Sequence, residues 1–431
     1  MGLSGRSFQP QGRGQQALAA VEDSELVRQK RLCCSDMQDI HAAGSHGHGR
    51  SSRVFVFGSS SQFGTLLNNM EIFHRILKTA VDGGASDVHL KMGTPVIFRI
   101  NRQLIAIECP FPTEEWLNNV VQQITPAHLR KRVEQEREAD FSYFVPGIGR
   151  FRTNLFQQRG QWCLAMRHVK TNVPSFEELG LLEQIKKIAE SPRGIVLLAG
   201  STGCGKSTTL AAMIEHINSN FKKHLITLED PIEYVFEDNQ CVVEQREVGL
   251  DTLSFHHALK HVLRQDPDII MIGEMRDSVS FTSAMSAADT GHLVLSTVHT
   301  TNASQSISRI LDFFKADERE QIRRQLAGTM QAVVCQRMVA TLAGGMTPAL
   351  EIMINTPTVK KLIEENRLDK LAAAIETGTD DGMLNFNQAL FNLVKQGKVS
   401  EQEALSKASN PQALEMNFKG IFLDEGRRIL S

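Results

Sequence analysis

One eight-residue segment constrains what this chain can fold into more than any other feature. Residues 200–207 match the pattern G-x-x-x-x-G-K-[ST], in which Lys206 and Ser207 fill the last two positions. The apolar run 195–199 precedes the segment and is typical of a buried strand. Apolar residues follow it at helical spacing, at Leu210, Met213, Ile214 and Ile217. A glycine loop between a strand and a helix is the arrangement that surrounds a phosphate with backbone N–H groups.

The residue types in this loop suit a nucleoside triphosphate with Mg²⁺. Glycines let the backbone wrap closely, and the helix N-terminus adds partial positive charge. Lys206 can reach the β- and γ-phosphates, and the Ser207 hydroxyl can bind Mg²⁺. A glycine-rich turn without a ligand is the alternative interpretation. The predicted nucleotide-contacting residues are Gly200, Ser201, Thr202, Gly203, Cys204, Gly205, Lys206, Ser207 and Thr208.

Acidic residues follow two further predicted strands. Glu274 comes shortly after the buried run 269–272, and Glu229 and Glu233 follow the run 225–228. A carboxylate at the carboxyl end of such a strand is expected beside the glycine loop. Glu274 is therefore predicted to bind Mg²⁺ through water or to polarise the attacking water. Glu229 and Glu233 are candidates to face the γ-phosphate, and a solvated acidic rim is the alternative for all three.

Two histidines flank a fourth predicted strand, 293–298. His292 precedes this strand and His299 follows it. An imidazole can donate a hydrogen bond to a γ-phosphate and so report the loss of that phosphate. We therefore predict that His292 and His299 are phosphate sensors, and the alternative for each is a structural role at a strand end.

The composition argues against several classes of protein. With 47 Lys+Arg against 49 Asp+Glu, the net charge is -2, whereas a dedicated nucleic-acid-binding protein usually has a basic excess. The 7 cysteines are odd in number and form no C-x-x-C pair, which excludes a disulfide scaffold and a tetracysteine zinc site. No apolar run approaches about 18 residues, so the sequence predicts no membrane span.

The first 65 residues differ from the rest of the chain. Residues 1–65 contain a Gln/Gly-rich opening and the run Gly-Ser-His-Gly-His-Gly at 44–49. Little apolar surface is available there to offset the entropy of ordering, so a disordered low-complexity extension is predicted. An amphipathic helix pattern opens at Met70, and we expect Met70 to be the native start.

The remaining chain divides into three segments. Residues 66–171 mix short strands with helices, which indicates a small α+β domain. Strands and helices alternate over 172–355, which indicates an α/β domain with a mainly parallel sheet. Residues 356–431 are predicted to be helical, with one turn-rich break at 377–382.

Four motifs, in this order and spacing, resemble the secretion ATPase superfamily that drives type II secretion, type IV secretion and type IV pili. Its Walker A, Asp, Walker B and His boxes correspond here to residues 200–207, 227–234, 269–277 and 290–301. Within the superfamily, the chain is similar to the type IV pilus retraction ATPases, PilT and its paralogue PilU. The similarity covers about 70–408 and includes further motifs at 84–90, 149–154, 245–249 and 273–277.

The resemblance implies a ring hexamer whose subunits join a PAS-like N-terminal domain to a RecA-like P-loop core. ATP and Mg²⁺ would bind between the two domains and against the neighbouring subunit. Arg152 and Arg167 match the arginine fingers of the family's N-terminal domain, with Arg150 and Arg159 as nearby alternatives. Such a finger neutralises charge on the transferring phosphoryl group.

The resemblance also implies a cellular role and a location. The ring would power pilus retraction, and so twitching motility, by rotating an inner-membrane platform protein. It would lie in the cytoplasm, peripheral to the inner membrane at the pilus base. Its partners would be five further copies of the chain, the platform protein and a paralogous retraction ATPase, with no nucleic acid.

Two departures from the family pattern narrow the expectation. Assembly and secretion ATPases usually carry an extra N-terminal domain and often a tetracysteine zinc module, and we expect neither here, which favours retraction. PilT proteins carry the motif Ala-Ile-Arg-Asn-Leu-Ile-Arg-Glu, whereas residues 358–365 read Thr-Val-Lys-Lys-Leu-Ile-Glu-Glu and lack both arginines. Together with the stretch 385–390, this difference favours a PilU-like or intermediate member.

Three other functions are carried as hypotheses. The first is a type II or type IV secretion or conjugation ATPase of the same superfamily. The second is an accessory, nucleotide-dependent scaffold that docks on a cognate retraction motor. The third is a hexameric nucleic-acid translocase, against which the net charge of -2 and the presence of only 2 Trp and 2 Tyr argue.

Overall fold

The computed structural model of the protein describes residues 69–101 and 103–421. The predicted extension, 1–65, lies outside the described residues. The described chain contains two sheets, one of 6 strands and one of 7. Within this part of the chain, no helix is both long and apolar enough to cross a membrane.

The first sheet is antiparallel throughout, with strand order β3-β2-β1-β6-β5-β4. Its strands are β1 (Asp87–Lys91), β2 (Ile97–Ile100), β3 (Gln103–Ala106), β4 (Glu138–Val145), β5 (Gly149–Gln158) and β6 (Gln161–His168). The accompanying helices are α1 (Asn69–Asp82), α2 (Glu114–Ile124) and α3 (Arg130–Glu136). This arrangement confirms the predicted α+β class of the N-terminal domain.

One face of this sheet packs beneath the helices. The buried positions of α1 are Phe73, Ile76, Leu77 and Ala80, which recur at helical spacing and form one stripe. Along β5, Phe151 and Leu155 are fully buried, whereas Arg152 between them is exposed. Because successive side chains of a strand point to opposite faces, the second face of the sheet carries Arg152.

The second sheet has the order β13-β12-β7-β11-β10-β8-β9, and every neighbouring pair is parallel except β12 and β13. Its strands are β7 (Gly194–Ala199), β8 (His224–Glu229), β9 (Val242–Glu247), β10 (Ile269–Ile272), β11 (Leu293–Val298), β12 (Met330–Ala340) and β13 (Met346–Ile354). All residues of β7, β10 and β11 are buried. Burial on both faces explains why β7 and β10 are apolar throughout and β11 is apolar except at Ser296 and Thr297.

Helices cover both faces of the second sheet. The helices on one face are α4 (Phe176–Leu179), α5 (Glu183–Ala189) and α6 (Lys206–Asn220). Those on the other face are α7 (Phe255–Val262), α8 (Ser278–Asp289), α9 (Ala303–Asp312), α10 (Arg319–Thr329), α11 (Pro357–Glu364), α12 (Leu371–Thr377), α13 (Phe386–Lys395), α14 (Glu401–Lys407) and α15 (Pro411–Phe418). A mainly parallel sheet with helices on both faces confirms the predicted RecA-like α/β core.

The C-terminal segment is helical over its described part, as expected. The predicted break at 377–382 contains the 3-10 turn Thr379–Asp381 and then Gly382, whose φ is +83°. Apolar side chains of this segment, such as Phe386 and Leu414, belong to the same core as the second sheet. The helices therefore pack into the core of the second sheet and do not form a separate layer.

The two edges of the second sheet are β13 and β9. Edge strand β13 is bridged to Leu384 through Ile352. Edge strand β9 has 6 residues, and it carries Val242 and Glu244 as exposed side chains and Arg246 as a partly exposed one.

Candidate active site

The phosphate loop lies at the carboxyl end of β7, where α6 begins at Lys206. Gly200 has a φ of +152°, and a Cβ at this position would collide with Cys204 Sγ and lie 2.7 Å from the Gln336 carbonyl oxygen. Gly205 has a φ of +88°, and a Cβ there would lie 2.9 Å from Gln336 Nε2. Both positions require glycine, because the backbone is left-handed and a Cβ would collide with Cys204 or Gln336. The loop backbone is therefore held in the close wrap whose N–H groups can surround a phosphate.

Lys206 lies along the inside of the loop. It is 8% exposed, and its Nζ donates to the carbonyl oxygens of Gly200 at 2.9 Å and Ser201 at 3.2 Å. Residues 201–203 are exposed, so the loop is open to a ligand from solvent. Ser207 is partly buried in the first turn of α6. A lysine, a hydroxyl and backbone N–H groups at one helix N-terminus suit the phosphates and Mg²⁺ of a nucleotide.

Gln336 of β12 supports the loop from below, and the sequence interpretation missed it. Its Nε2 donates to the Cys204 carbonyl oxygen at 2.7 Å, and its Oε1 accepts from Thr209 Oγ1 at 2.9 Å. The side chain is 3% exposed. One amide thus holds the loop and the first turn of α6 together. The signal that could have revealed it is a lone glutamine after the apolar run 332–335.

Glu274 lies at the same edge of the sheet as the loop, two residues beyond β10. One strand, β11, separates β10 from β7, so Glu274 is not on the strand next to the loop. Its Oε1 lies 3.2 Å from His299 Nε2, and its Oε2 accepts from Arg276 Nη2 at 2.6 Å. Burial acts to raise the pKa of Glu274, but the bonds to Arg276 and His299 outweigh burial and lower it. The carboxylate is therefore an anionic acceptor at neutral pH.

The two predicted histidine sensors lie at opposite ends of β11. His299 follows Val298, which pairs with Ala199 at the start of the phosphate loop. His292 precedes Leu293, which pairs with Gly194 at the far end of β7. Six strand residues at about 3.3 Å each separate the two histidines. Within one subunit, the structure brings only His299 to the edge that holds the loop.

His292 has a structural set of contacts where it lies. Its Nδ1 is 2.9 Å from the Ala287 carbonyl oxygen and 3.0 Å from Thr290 Oγ1, both at the end of α8. These contacts correct the expectation that His292 lies near the phosphates, because the two ends of a strand cannot share one edge of a parallel sheet.

Glu229 ends β8 and is a buried residue of the Asp box. Its carboxylate accepts from Thr227 Oγ1 at 2.7 Å, Gln245 Nε2 at 3.0 Å and the Glu233 backbone N–H at 3.4 Å. Burial raises the pKa of Glu229 to about 7. The Glu233 side chain is exposed. Glu229 thus organises the Asp box, and Glu233 is the more accessible of the two carboxylates.

A row of charged residues crosses the second face of the first sheet. Strand pairing places Arg99 opposite Asp87, Asp87 opposite Arg167, Arg167 opposite Arg152 and Arg152 opposite Ser142. Arg167 Nε donates to Asp87 Oδ1 at 2.8 Å. The Arg152 side chain is exposed. Directly paired residues share a face of a sheet, so the two predicted arginine fingers lie side by side.

Glu247 of β9 joins the arginine-bearing face of the first sheet to the domain of the second sheet. Its carboxylate accepts from Ser142 Oγ at 2.6 Å and from the Ile232 backbone N–H at 3.2 Å. Arg150 Nη2 lies 3.5 Å from Glu247 Oε2. Because Ser142 belongs to the row of Arg152, this contact directs the arginine face towards the Asp box. Of the two alternative arginines, Arg150 is therefore paired with Glu247 at the domain junction. Arg159 lies in the exposed turn between β5 and β6.

The sequence matches those of known proteins along most of the chain. A family model described as "Type II/IV secretion system protein" matches residues 67–403. The chain is 41% identical over 337 residues to the type IV pilus ATPase PilT of Pseudomonas aeruginosa, covering 78% of this chain and 98% of that protein. It is 39% identical over 348 residues to PilU of the same species, covering 80% and 91%.

The fold matches as well as the sequence. A crystal structure of the pilus retraction motor PilT with bound ADP aligns with a TM-score of 0.73 and 39% identity, covering 79% of this chain and 98% of that chain. The structure of the Legionella pneumophila ATPase DotB has a TM-score of 0.69 at 24% identity and shares the fold. With its phosphate loop, Walker B carboxylate and His299 arranged on this fold, the chain belongs to the type II/IV secretion system protein family, as an ATPase of the PilT/PilU type.

Proposed function

We propose that the protein is an ATP-hydrolysing motor that powers type IV pilus retraction. The observation that carries this proposal is the placement of Lys206, Glu274 and His299 at one edge of a sheet, in a chain 41% identical to PilT. Relatives named for pilus retraction support the cellular role, as does a Neisseria gonorrhoeae twitching motility protein that is 40% identical over 341 residues, covering 79% of this chain and 91% of that protein.

The residues around the loop have distinct parts in hydrolysis. Lys206 exchanges its bonds to the Gly200 and Ser201 carbonyl oxygens for phosphate oxygens. Glu274 accepts a proton from water or orients the water that attacks the γ-phosphate. His299, which lies 3.2 Å from Glu274, contacts the γ-phosphate side of the same space. Bound Mg²⁺, held by the Ser207 hydroxyl and through water by Glu274, would neutralise phosphate charge.

Arg152 and Arg167 complete the site when the domains close. Their shared face is directed towards the Asp box by the contact of Ser142 with Glu247. An arginine that reaches the phosphates on closure stabilises the charge of the transition state. Hydrolysis then removes that attraction and allows the domains to separate.

The closure of one subunit becomes mechanical work in an assembly. We propose a homo-hexameric ring, in which each ATP contacts two subunits and rigid-body closure passes around the ring. The ring acts from the cytoplasm on an inner-membrane platform protein. Rotation of that partner returns pilin subunits to the membrane.

Two measurements test this proposal. The purified chain is expected to hydrolyse ATP in the presence of Mg²⁺, and Glu274→Gln is expected to lower kcat about a hundredfold or more. The matched control is Glu237→Gln, which removes an exposed carboxylate from the loop between β8 and β9. This variant is expected to retain the parental kcat. A deletion strain is expected to accumulate pili and to lose twitching; loss of the pili themselves would instead indicate a motor for assembly.

A PilU-like accessory role is the second candidate, and one observation favours it. The stretch 358–365 covers α11 except its first residue, Pro357, and lacks the two arginines of the PilT motif. Expression of this chain alone in a strain without its cognate retraction ATPase separates the two roles. Restored twitching supports independent retraction, whereas restoration only together with the paralogue supports the accessory role.

A further inference from the structure

Strand β12 contacts the phosphate loop on one face and the C-terminal helices on the other. Gln336 holds the loop through the Cys204 carbonyl oxygen and Thr209. The next residue, Arg337, points to the opposite face of the sheet, because consecutive strand residues alternate. Two neighbouring side chains thus connect the nucleotide site and the C-terminal helices to the same strand.

Arg337 contacts three separate parts of the chain. Its guanidinium lies 3.7 Å from the centre of the Phe386 ring, at the start of α13. Its Nη1 donates to the Lys407 carbonyl oxygen, the last of α14, at 2.8 Å. Its Nη2 donates to the Thr301 carbonyl oxygen at 3.5 Å. Thr301 belongs to the turn that directly follows His299.

The surroundings partly offset the cost of burying a cation at this position. The carbonyl groups at the end of a helix carry partial negative charge, and Lys407 supplies one of them. Burial lowers the pKa of Arg337, and the Glu351 carboxylate on the paired strand β13 opposes that effect. Glu351 also accepts from the Ala303 backbone N–H at 2.8 Å and so fastens the start of α9, just beyond the same turn. The turn after His299 is therefore anchored to β12 and β13.

Elsewhere, the turn and the C-terminal helices are separated by a cavity. This space of about 530 Å³ is bordered by Thr301, Asn302, Ala372, Ile375 and Ser409. The cavity leaves room for the turn to shift against α12 and the end of α14. A shift of the turn would reach α14 through Arg337, because one guanidinium bonds both carbonyl groups.

We propose that Arg337 is a positioning residue that sets the turn after His299 and transmits its movement to α13 and α14. This inference rests on the proposed contact of His299 with the γ-phosphate. The presence of the phosphate at the sheet edge is then communicated to the C-terminal helices through one side chain, without direct contact between those helices and the nucleotide.

The test compares Arg337→Met with a matched control in the full chain. Arg323 of α10 likewise donates to a helix-end carbonyl oxygen, that of Glu364 in α11, at 3.2 Å, but it has no contact with the turn. Arg337→Met is expected to lower kcat about tenfold with KM within about twofold, since misplacement affects reaction more than binding. Arg323→Met is expected to retain both constants.

Hydrogen exchange supplies a readout that a general loss of stability would not reproduce. Binding of a non-hydrolysable ATP analogue with Mg²⁺ is expected to change exchange in residues 386–407 of the parent and of Arg323→Met. The change is expected to be lost in Arg337→Met and reduced in Arg337→Lys, which keeps the charge but lacks the two separated NH2 groups of the planar guanidinium. An unchanged analogue effect in Arg337→Met, or an equal loss in Arg323→Met, overturns the inference.

A third variant separates this inference from the proposed function. If His299→Ala hydrolyses ATP at the parental rate, the proposed role of His299 fails. If His299→Ala is impaired and Arg337→Met behaves like the parent, only the coupling role of Arg337 fails. Should Arg337→Met not fold, Arg337→Lys gives the same comparison with a smaller expected effect.

Discussion

At Gly200, the space around the backbone of the phosphate loop is too small for any side chain. A methyl group at this position would meet Cys204 Sγ and the Gln336 carbonyl oxygen. We expect Gly200→Ala to weaken nucleotide binding at least tenfold, because the loop must open to accommodate the Cβ. Gly160→Ala, in the turn between β5 and β6, is the control, since its φ of +80° is also left-handed but no atom lies within 4 Å of its Cβ. Titration with a fluorescent nucleotide checks both; equal affinities would contradict the steric argument.

Glu229 makes stability depend on pH. Burial raises its pKa to about 7 in the folded protein, against 4.5 as its ordinary value. The folded state then binds more protons than the unfolded state between these values, so the contribution is fully present below pH 4.5 and lost as pH rises through 7. The expected loss is on the order of 3 kcal/mol.

The pH effect can be measured against a variant that cannot titrate. Urea unfolding at pH 5 and pH 7.5 is expected to show a decrease in the parent's free energy of unfolding that is absent from Glu229→Gln. Equal pH dependence in the two proteins would show that Glu229 is ionised in the folded state.

Among the elements, β9 supplies the buried carboxylate that contacts the first domain. Its last residue, Glu247, is 3% exposed and accepts hydrogen bonds from Ser142 and the Ile232 backbone, with Arg150 beside it. Glu247→Ala leaves Arg150 without its partner in a largely buried site. We expect a destabilisation of about 3 kcal/mol.

The neighbouring carboxylate on β9 serves as the control for this prediction. Glu244→Ala removes an exposed carboxylate from the same strand and is expected to change stability by less than about 0.5 kcal/mol. Chemical unfolding is measured for both variants. Adding Arg150→Met and the double variant Arg150→Met/Glu247→Ala completes a double-mutant cycle for Arg150 and Glu247. A coupling near zero between Arg150 and Glu247 would show that the junction is held by other contacts.

The elements of the core could be predicted from sequence to within a few residues, but their order could not. The runs 195–199, 225–228, 269–272 and 293–298 are buried on both faces, so each is mainly apolar and is recognisable by itself, with Thr227, Ser296 and Thr297 as the polar exceptions. Nothing in a single strand specifies its neighbour, which is why the position of β11 between the loop strand and the Glu274 strand was not predicted.

Contacts between segments that are distant in the chain could not be predicted from the sequence either. Gln336 and Cys204 are 132 residues apart, and Ser142 and Glu247 are 105 apart. Both contacts pair common polar residues without a local pattern. The predicted parts of the site are those with a strict spacing, such as the loop, whereas its supports depend on how the strands assemble.

At the scale of the whole molecule, we propose that the arginine row of the first sheet assists hydrolysis when the domains close. We expect Arg152→Ala and Arg167→Ala each to lower kcat about a thousandfold, the effect of removing an arginine finger, with a much smaller change in nucleotide affinity. Steady-state kinetics and analogue binding check this. Arg159→Ala, in the exposed turn of the same sheet, is the control; if all three variants behave alike, the row has no part in hydrolysis.

The edge strand β9 has a consequence for how copies of the subunit can meet. Unpaired backbone on a sheet edge invites strand-to-strand annealing, and short length and charged side chains oppose it. With 6 residues and Glu244 and Arg246 along its length, β9 is a poor template for a continuous intermolecular sheet. At this edge, contacts between copies would then form through side chains, which could detach and re-form while every subunit keeps its own sheet intact.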